Sequence, residues 1–342
     1  MLDAIVKELK IRKNKVEPIE TIYFGGGTPS ILTIKELNLL LSTIYNNYKV
    51  ISNPEITLEA NPDDLSNEKI IELSKTRINR LSIGVQSFFN DDLQFMNRAH
   101  NAEEAIQSLK TATKYFTNIT IDLIYGVPNL SNKKWKENLQ IAFDLGINHI
   151  SSYALTVERK TTLYQFIKKG KIKPLDENKA LEHFNVLLKE TSKHNYINYE
   201  TSNFGKEGFF SKHNTSYWLG KKYLGIGPSA HSFNGKTRSW NVNNNTKYIK
   251  ALEKNELAQE IEILSKKDLF NEKMMIGLRT IWGISLSEIE EQFGLDKKES
   301  LLKKIQKYLD NETLIIKENK IIATDKGKFL IDGIASDLFL IN

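Results

Sequence analysis

The 342-residue chain contains no cysteine. Disulfides, thiolate metal sites and a cysteine nucleophile are therefore excluded. It also lacks any apolar run approaching the roughly 20 residues that a membrane-spanning helix needs, so no such helix is predicted. No signal or transit peptide is expected from the opening stretch MLDAIVKELKIRKNK, which carries Asp3 and Glu8 and whose Leu2, Ile5, Val6 and Leu9 share one face. That pattern predicts an amphipathic helix and a cytoplasmic protein. No basic stripe interleaved with aromatics is present. The net charge of +6 comes mostly from lysines dispersed along helices and paired with Glu, as in KKESLLKKIQK, which reads as a solvated face and not a nucleic-acid surface. Internal repeats and low-complexity segments are absent too.

What is present is ordinary for a globular protein, 40% hydrophobic and 26% charged residues, and the length suits one large α/β domain with a smaller one. Short β-rich runs, ETIYF, EITLEA, RLSIGVQ, NITIDLIYG and HISSYALT, alternate with helical patterns over residues 34–45, 67–74, 102–115 and 133–145. Alternation of this kind predicts parallel βαβ units with right-handed crossovers. The fold class is α/β, a partial (β/α) barrel over residues 1–200, with a barrel extension at 201–263. From about Leu264 the pattern changes: helices over 272–282, 285–293 and 297–309 precede the hairpin ETLIIKENKIIAT and a final helix from Thr324. Residues 264–342 thus read as a winged-helix-like α+β domain, a fold that carries no function by itself.

The first chemical motif is Tyr23-Phe24-Gly25-Gly26-Gly27-Thr28-Pro29, directly after a strand. Three glycines clear side chains from a turn, so a small polar ligand can touch the backbone. A phosphate loop would need Gly-Lys-Ser/Thr opening a helix, and Thr28-Pro29 follows here instead. Polar residues recur where later strands end: Glu59 in LEANPDD, Gln86 in SIGVQSF and Asp122 in IDLIYGVP, with Arg98 in FMNRAH beyond a short helix. Such groups suit an amino-acid nucleoside, with carboxylates accepting from hydroxyls or an ammonium and a guanidinium forking onto a carboxylate. Each also has a purely structural alternative. Glu59 and Asp122 can cap the next turn, Gln86 can tie two loops together, and Arg98 can pair with Asp91 or Asp92.

Six ordered motifs, GGGTP, EANP, GVQSF, NRAH, DLIYGVP and GIGPSAHS (Gly225–Ser232), resemble those of radical S-adenosylmethionine (SAM) enzymes related to oxygen-independent coproporphyrinogen III oxidase. The resemblance covers almost the whole chain. It implies SAM contacts at Gly26, Gly27, Thr28, Glu59, Gln86, Arg98 and Asp122, with Ala154 near the adenine, and a 4Fe-4S cluster on a CxxxCxxC loop. That loop is absent: the segment before Gly25 contains neither Cys nor His. Two explanations compete, a lost N-terminal segment or a naturally cluster-less derivative. The first is favoured because Thr21–Phe24 would otherwise form an uncovered edge strand.

A second motif, His213-Asn214-Thr215-Ser216-Tyr217-Trp218, sets an imidazole beside aromatic rings. Iron takes a neutral ring nitrogen and a porphyrin favours flat apolar contacts, although a histidine flanked by Asn is also a common loop residue. The sequence matches the HNxxYW signature that resembles the mark of HemW-type haem chaperones. This resemblance implies a haem-binding protein that passes haem to acceptor haemoproteins, with His213 as the haem-iron ligand. Tyr217 and Trp218 are either porphyrin contacts or core aromatics. A second axial ligand is not nominated among His100, His149, His183, His194 and His231. The alternative function is an oxygen-independent coproporphyrinogen III oxidase. A third is a non-catalytic scaffold whose C-terminal domain binds a partner protein.

Overall fold

The computed structural model describes residues 1–13 and 17–341, so Asn14 and Lys15 of the predicted amphipathic stretch lie outside the described residues. The chain divides into two compact units, each drawn from separated segments. Met1–Tyr23, Leu32–Ile56 and Ser211–Asn342 form one, and Phe24–Ile31 with Thr57–Phe210 the other.

The main sheet contains β1 (Ile19–Phe24), β2 (Val50–Ala60), β3 (Arg80–Gln86), β4 (Ile119–Tyr125), β5 (His149–Ala154), β6 (Ile197–Glu200) and β7 (Asn203–Gly205). Its order is β1-β2-β3-β4-β5-β7-β6, and the boundary between the units falls inside β2. From β2 to β5 consecutive strands pair in parallel, Thr57 opposite Arg80, Leu81 opposite Ile119 and Thr120 opposite His149. β7 and β6 then add antiparallel. This sequential parallel order is the partial barrel that the βα alternation predicts.

Parallel strands are covered on both faces, so they read as continuous buried runs. Accordingly, Arg80 through Val85 of β3 are all buried. Helices begin where capping chemistry places them. Thr33 and Asn101 form reciprocal capping boxes with Glu36 and Glu104, and Ser66 and Ser131 cap the helices Asn67–Ser74 and Asn132–Asp144.

In the other unit, β8 (His231–Phe233), β9 (Thr237–Asn241) and β10 (Gln259–Ile263) make a small antiparallel sheet. The C-terminal part packs helices Lys266–Leu278, Leu286–Phe293 and Leu295–Asp310 around Phe270, Met274, Ile289, Leu301 and Ile305. Its wing departs from the two-stranded expectation. β11 (Ile284–Ser285) pairs with β13 (Lys320–Ala323), which also pairs with β12 (Leu314–Lys317). A two-residue strand has too few residues to show alternation, which is why the pattern misses it. The expected final helix is also broken in two, Asp325–Lys328 and Ile331–Asp337.

The first helix, Leu2–Arg12, packs Ala4 against Tyr248 and Leu252 of the helix Asn245–Glu253. Its second link is polar. Glu8 is fully buried, and its carboxylate accepts from Gly227 N–H at 2.8 Å, Asn241 Nδ2 at 2.8 Å and Tyr248 Oη at 2.6 Å. Arg12, one turn on, pairs with Glu8 at 2.9 Å and donates to Asn241 and Gln259 at 3.0 and 2.7 Å. The GIGPSAHS motif therefore closes onto the first helix through Gly227. Gly225 in the same loop must be glycine, because a Cβ there would collide with the His231 carbonyl.

Removing one member of a buried, hydrogen-bonded charge pair leaves the other without its partner, at a cost of about 3–5 kcal/mol. Glu8→Ala is accordingly expected to lower the unfolding free energy by that amount, read from the denaturant midpoint. A midpoint equal to that of the unmutated protein would show that the network contributes nothing.

Candidate functional site

Two groups of predicted residues occupy one unit each. In the unit built from residues 24–31 and 57–210, the glycine loop follows β1. Gly26 and Gly27 have φ of +76° and +72°, with open space where a Cβ would stand. Backbone conformation, not crowding, requires glycine at both positions. Gly26 N–H donates to Glu59 Oε2 at 3.1 Å, so Glu59 at the end of β2 holds the loop. Thr28 accepts from Ile31 N–H at 3.2 Å through its carbonyl, closing the short turn Pro29–Ile31.

Gln86, the last residue of β3, has φ of +68°, and the β3–β4 register shifts between Ile83 and Gln86. A non-glycine residue in the left-handed region is strained, and such strain commonly marks a site. Arg98 donates to Asn61 Oδ1 at 3.0 Å and to the Gly84 carbonyl at 3.4 Å. It does not pair with Asp91 or Asp92, which instead take Lys134 at 2.6 and 3.0 Å. Gly84 makes room for this group, since a Cβ there would lie 3.0 Å from Gln86 Nε2 and 3.4 Å from Arg98 Nη2.

Asp122 on β4 faces the same cluster. Burial, then the neighbouring Glu59 carboxylate, push its carboxyl up to about 7, opposed by a hydrogen bond from Ser151 and by the charges of Arg80 and Arg98. Ser151 in turn donates to Asn203 Oδ1 at 2.6 Å. Gly26, Glu59, Gln86, Arg98 and Asp122 are thus brought into one neighbourhood, with Gly27 and Thr28 on the same loop. Ala154 ends the next strand, paired with Tyr125. Sequence reasoning missed Asn61, Ser151 and Asn203. Asn61 stands inside the quoted EANP motif, where its place beside Glu59 was the available signal.

In the other unit, His213 is the second residue of the short helix Lys212–Trp218, whose N-cap Ser211 accepts from Asn214 N–H at 3.2 Å. Glu55 of β2, only 4% exposed, accepts from the N–H groups of Lys212 and His213 at 3.0 and 2.9 Å. A carboxylate at this end also meets the positive end of the helix. His213 Nδ1 lies 3.1 Å from Thr21 Oγ1 of β1. The imidazole stacks on Tyr23, with ring centres 4.4 Å apart and planes 17° apart, and Tyr217 meets it edge-on at 4.9 Å. Tyr217 is 40% exposed and continues to Tyr223 at 4.5 Å. Trp218 lies under the Arg279 guanidinium at 5.8 Å, and Arg279 forks onto Asp332 at 2.7 and 2.6 Å.

The remaining histidines have local roles. His100 contacts the Val85 carbonyl, and His149 lies buried between Thr120 and Tyr199. His183 accepts from Gly126 N–H, His194 stacks on Phe143, and exposed His231 stacks on Trp240. Among the described residues no three His, Asp or Glu side chains are grouped as metal ligands. With no cysteine in the chain, the residues present do not fit a 4Fe-4S cluster. Nor is any described helix long and apolar enough to cross a membrane.

A sequential parallel sheet with a glycine loop and polar groups at the strand ends defines a radical SAM-type protein. Residues 2–142 match the Radical SAM superfamily and residues 264–330 match the HemN C-terminal domain. The haem chaperone HemW of Lactococcus lactis subsp. lactis is 33% identical, across 97% of this chain and 91% of that protein. HemW of Bacillus subtilis is 34% identical, across 96% and 88%. The chain belongs to the HemW family. In fold it is similar to coproporphyrinogen III oxidase (HemN) of Escherichia coli, with a TM-score of 0.82 at 22% identity over 99% of this chain and 82% of that one.

The Asp122 carboxyl yields a pH prediction. Because its folded value is raised to about 7 from an unfolded value near 3.9, the folded protein holds a proton that the unfolded chain releases. The stability this contributes is complete below about pH 3.9 and is lost as pH rises through about 7. Asp122→Asn is expected to raise the melting temperature relative to the unmutated protein at pH 8, with the difference shrinking toward pH 4. A difference that does not vary with pH would show that the carboxyl is not raised.

Proposed function

We propose that this chain binds haem through His213 and passes it to acceptor haemoproteins. The observation that carries this reading is the way His213 is held. Glu55 secures its backbone, Thr21 engages Nδ1, and Tyr23 and Tyr217 set the ring plane. An imidazole oriented through one nitrogen presents the other to a metal. With Nδ1 turned to Thr21, iron would meet Nε2. The exposed ring of Tyr217 provides a flat apolar wall for the macrocycle, whereas Trp218 is engaged by Arg279 and acts first as a packing group.

The residues of the other unit fit SAM. Glu59, Asp122 and Arg98 offer the carboxylates and guanidinium that an amino-acid nucleoside needs, and Gly26, Gly27, Thr28, Gln86 and Ala154 complete the surround. When bound with a cluster, SAM supplies radical chemistry in this superfamily. The cluster does not fit the residues present, so no radical step is assigned to this chain. Its own residues position a ligand and keep one carboxyl near neutrality. Membership in a family whose relatives are named haem chaperones supports the haem reading over the oxidase alternative.

Titration of the purified protein with haemin, followed by the Soret band, tests this. His213→Ala is expected to shift the band and weaken binding by at least tenfold, the loss of an axial ligand being larger than that of its supporting partner. Superimposable titrations would remove the haem assignment. The loaded protein is further expected to transfer haem to an apo-haemoprotein faster than free haemin is taken up, and equal rates would remove the transfer step.

A further inference from the structure

We infer that Thr21 is a positioning residue for haem binding, one that turns His213 Nδ1 toward β1 and so Nε2 toward iron. This rests on the reading of His213 as the iron ligand. In a neutral imidazole one nitrogen carries a proton and the other a lone pair. Iron takes the lone pair, so a ring that ligates through Nε2 must carry its proton on Nδ1. Thr21 Oγ1 lies 3.1 Å from Nδ1; a hydroxyl can donate to or accept from a ring nitrogen, and toward an iron-bound ring it accepts.

Aromatic contacts fix the plane of the ring. Tyr23 is stacked on one face at 4.4 Å, and Tyr217 meets it edge-on at 4.9 Å. Glu55 binds the His213 backbone N–H at 2.9 Å. The ring contacts set the plane, Glu55 holds the backbone, and the hydrogen bond with Thr21 turns Nδ1 toward β1. Without the hydroxyl, the Nδ1–H of the iron-bound ring would face a hydrocarbon group and lose its acceptor. A residue in the edge strand β1 thus sets the readiness of a ligand 192 positions later in the chain.

The first measurement uses the haem-free protein. The Nδ1 signal of His213, assigned by comparison with His213→Ala in 15N NMR, is expected to shift in Thr21→Val. An Nδ1 signal that Thr21→Val leaves unchanged would overturn the inference. The second measurement compares haemin affinity in Thr21→Val, which keeps the side-chain volume, and Thr21→Ser, which keeps the hydroxyl. Thr21→Val is expected to bind roughly ten- to hundredfold more weakly, with a lower iron–histidine stretching frequency in the reduced haem complex. Thr21→Ser should bind as the unmutated protein does. Equal affinity of Thr21→Val and the unmutated protein, with His213→Ala impaired, would refute the role of Thr21 and leave His213 ligation intact. Unchanged binding by His213→Ala would remove the ligation reading first, and this inference with it.

Discussion

A carboxylate taken out of water must be met by donors, and this constraint organises much of the unit formed by the chain's two ends. Glu8 and Glu55 are both buried, and both find their donors far along the chain. Gly227, Asn241 and Tyr248 serve Glu8, and the first N–H groups of the Lys212 helix serve Glu55. An unmet buried charge costs several kcal/mol, on the order of a domain's whole stability. The loops that carry GIGPSAHS and HNTSYW are therefore not independent features. Their backbones donate hydrogen bonds to two early glutamates buried inside the fold.

The same constraint acts in the opposite direction in the second unit. Asp122 lies deep beside Glu59, and neither Ser151 nor the more distant Arg80 and Arg98 offsets the loss of solvent and the neighbouring negative charge, so its carboxyl titrates near neutrality. Where Glu8 and Glu55 are saturated with donors for structural reasons, Asp122 retains capacity. Together with the strained backbone of Gln86 and the open glycine loop, this is the group proposed to meet a ligand.

Most of the architecture was legible in the sequence because it rests on local pattern. The runs that became β1 to β5 are short β-rich segments, and four of the intervening helices begin at Ser, Thr or Asn caps. The failures share a cause. β11 has only two residues and exists because Ile284 and Ser285 meet Ile321 and Lys320, a pairing that no local period encodes. The pairing of Arg98 with Asn61 and Gly84, and not with the aspartates nearest in sequence, was likewise decided by which groups the fold brings close. Glu8 was legible only as a charged residue of an amphipathic helix, and its burial with Arg12 was decided by the fold.

The absence of cysteine was settled by the sequence alone, and no folding can alter it. A chain without thiolates cannot provide those ligands, and ligand identity is a property of composition. Motif order, βα alternation and the presence of His213 beside two aromatic residues were equally legible, since each is carried by neighbours in the chain. What only the tertiary structure decided is how those residues are held. Thr21, Tyr23 and Glu55 meet His213 across more than 150 positions, and Asp122 acquires its unusual proton affinity from burial beside Glu59. Desolvation, ring orientation and hydrogen-bond partnership depend on distances in space, which chain order does not specify.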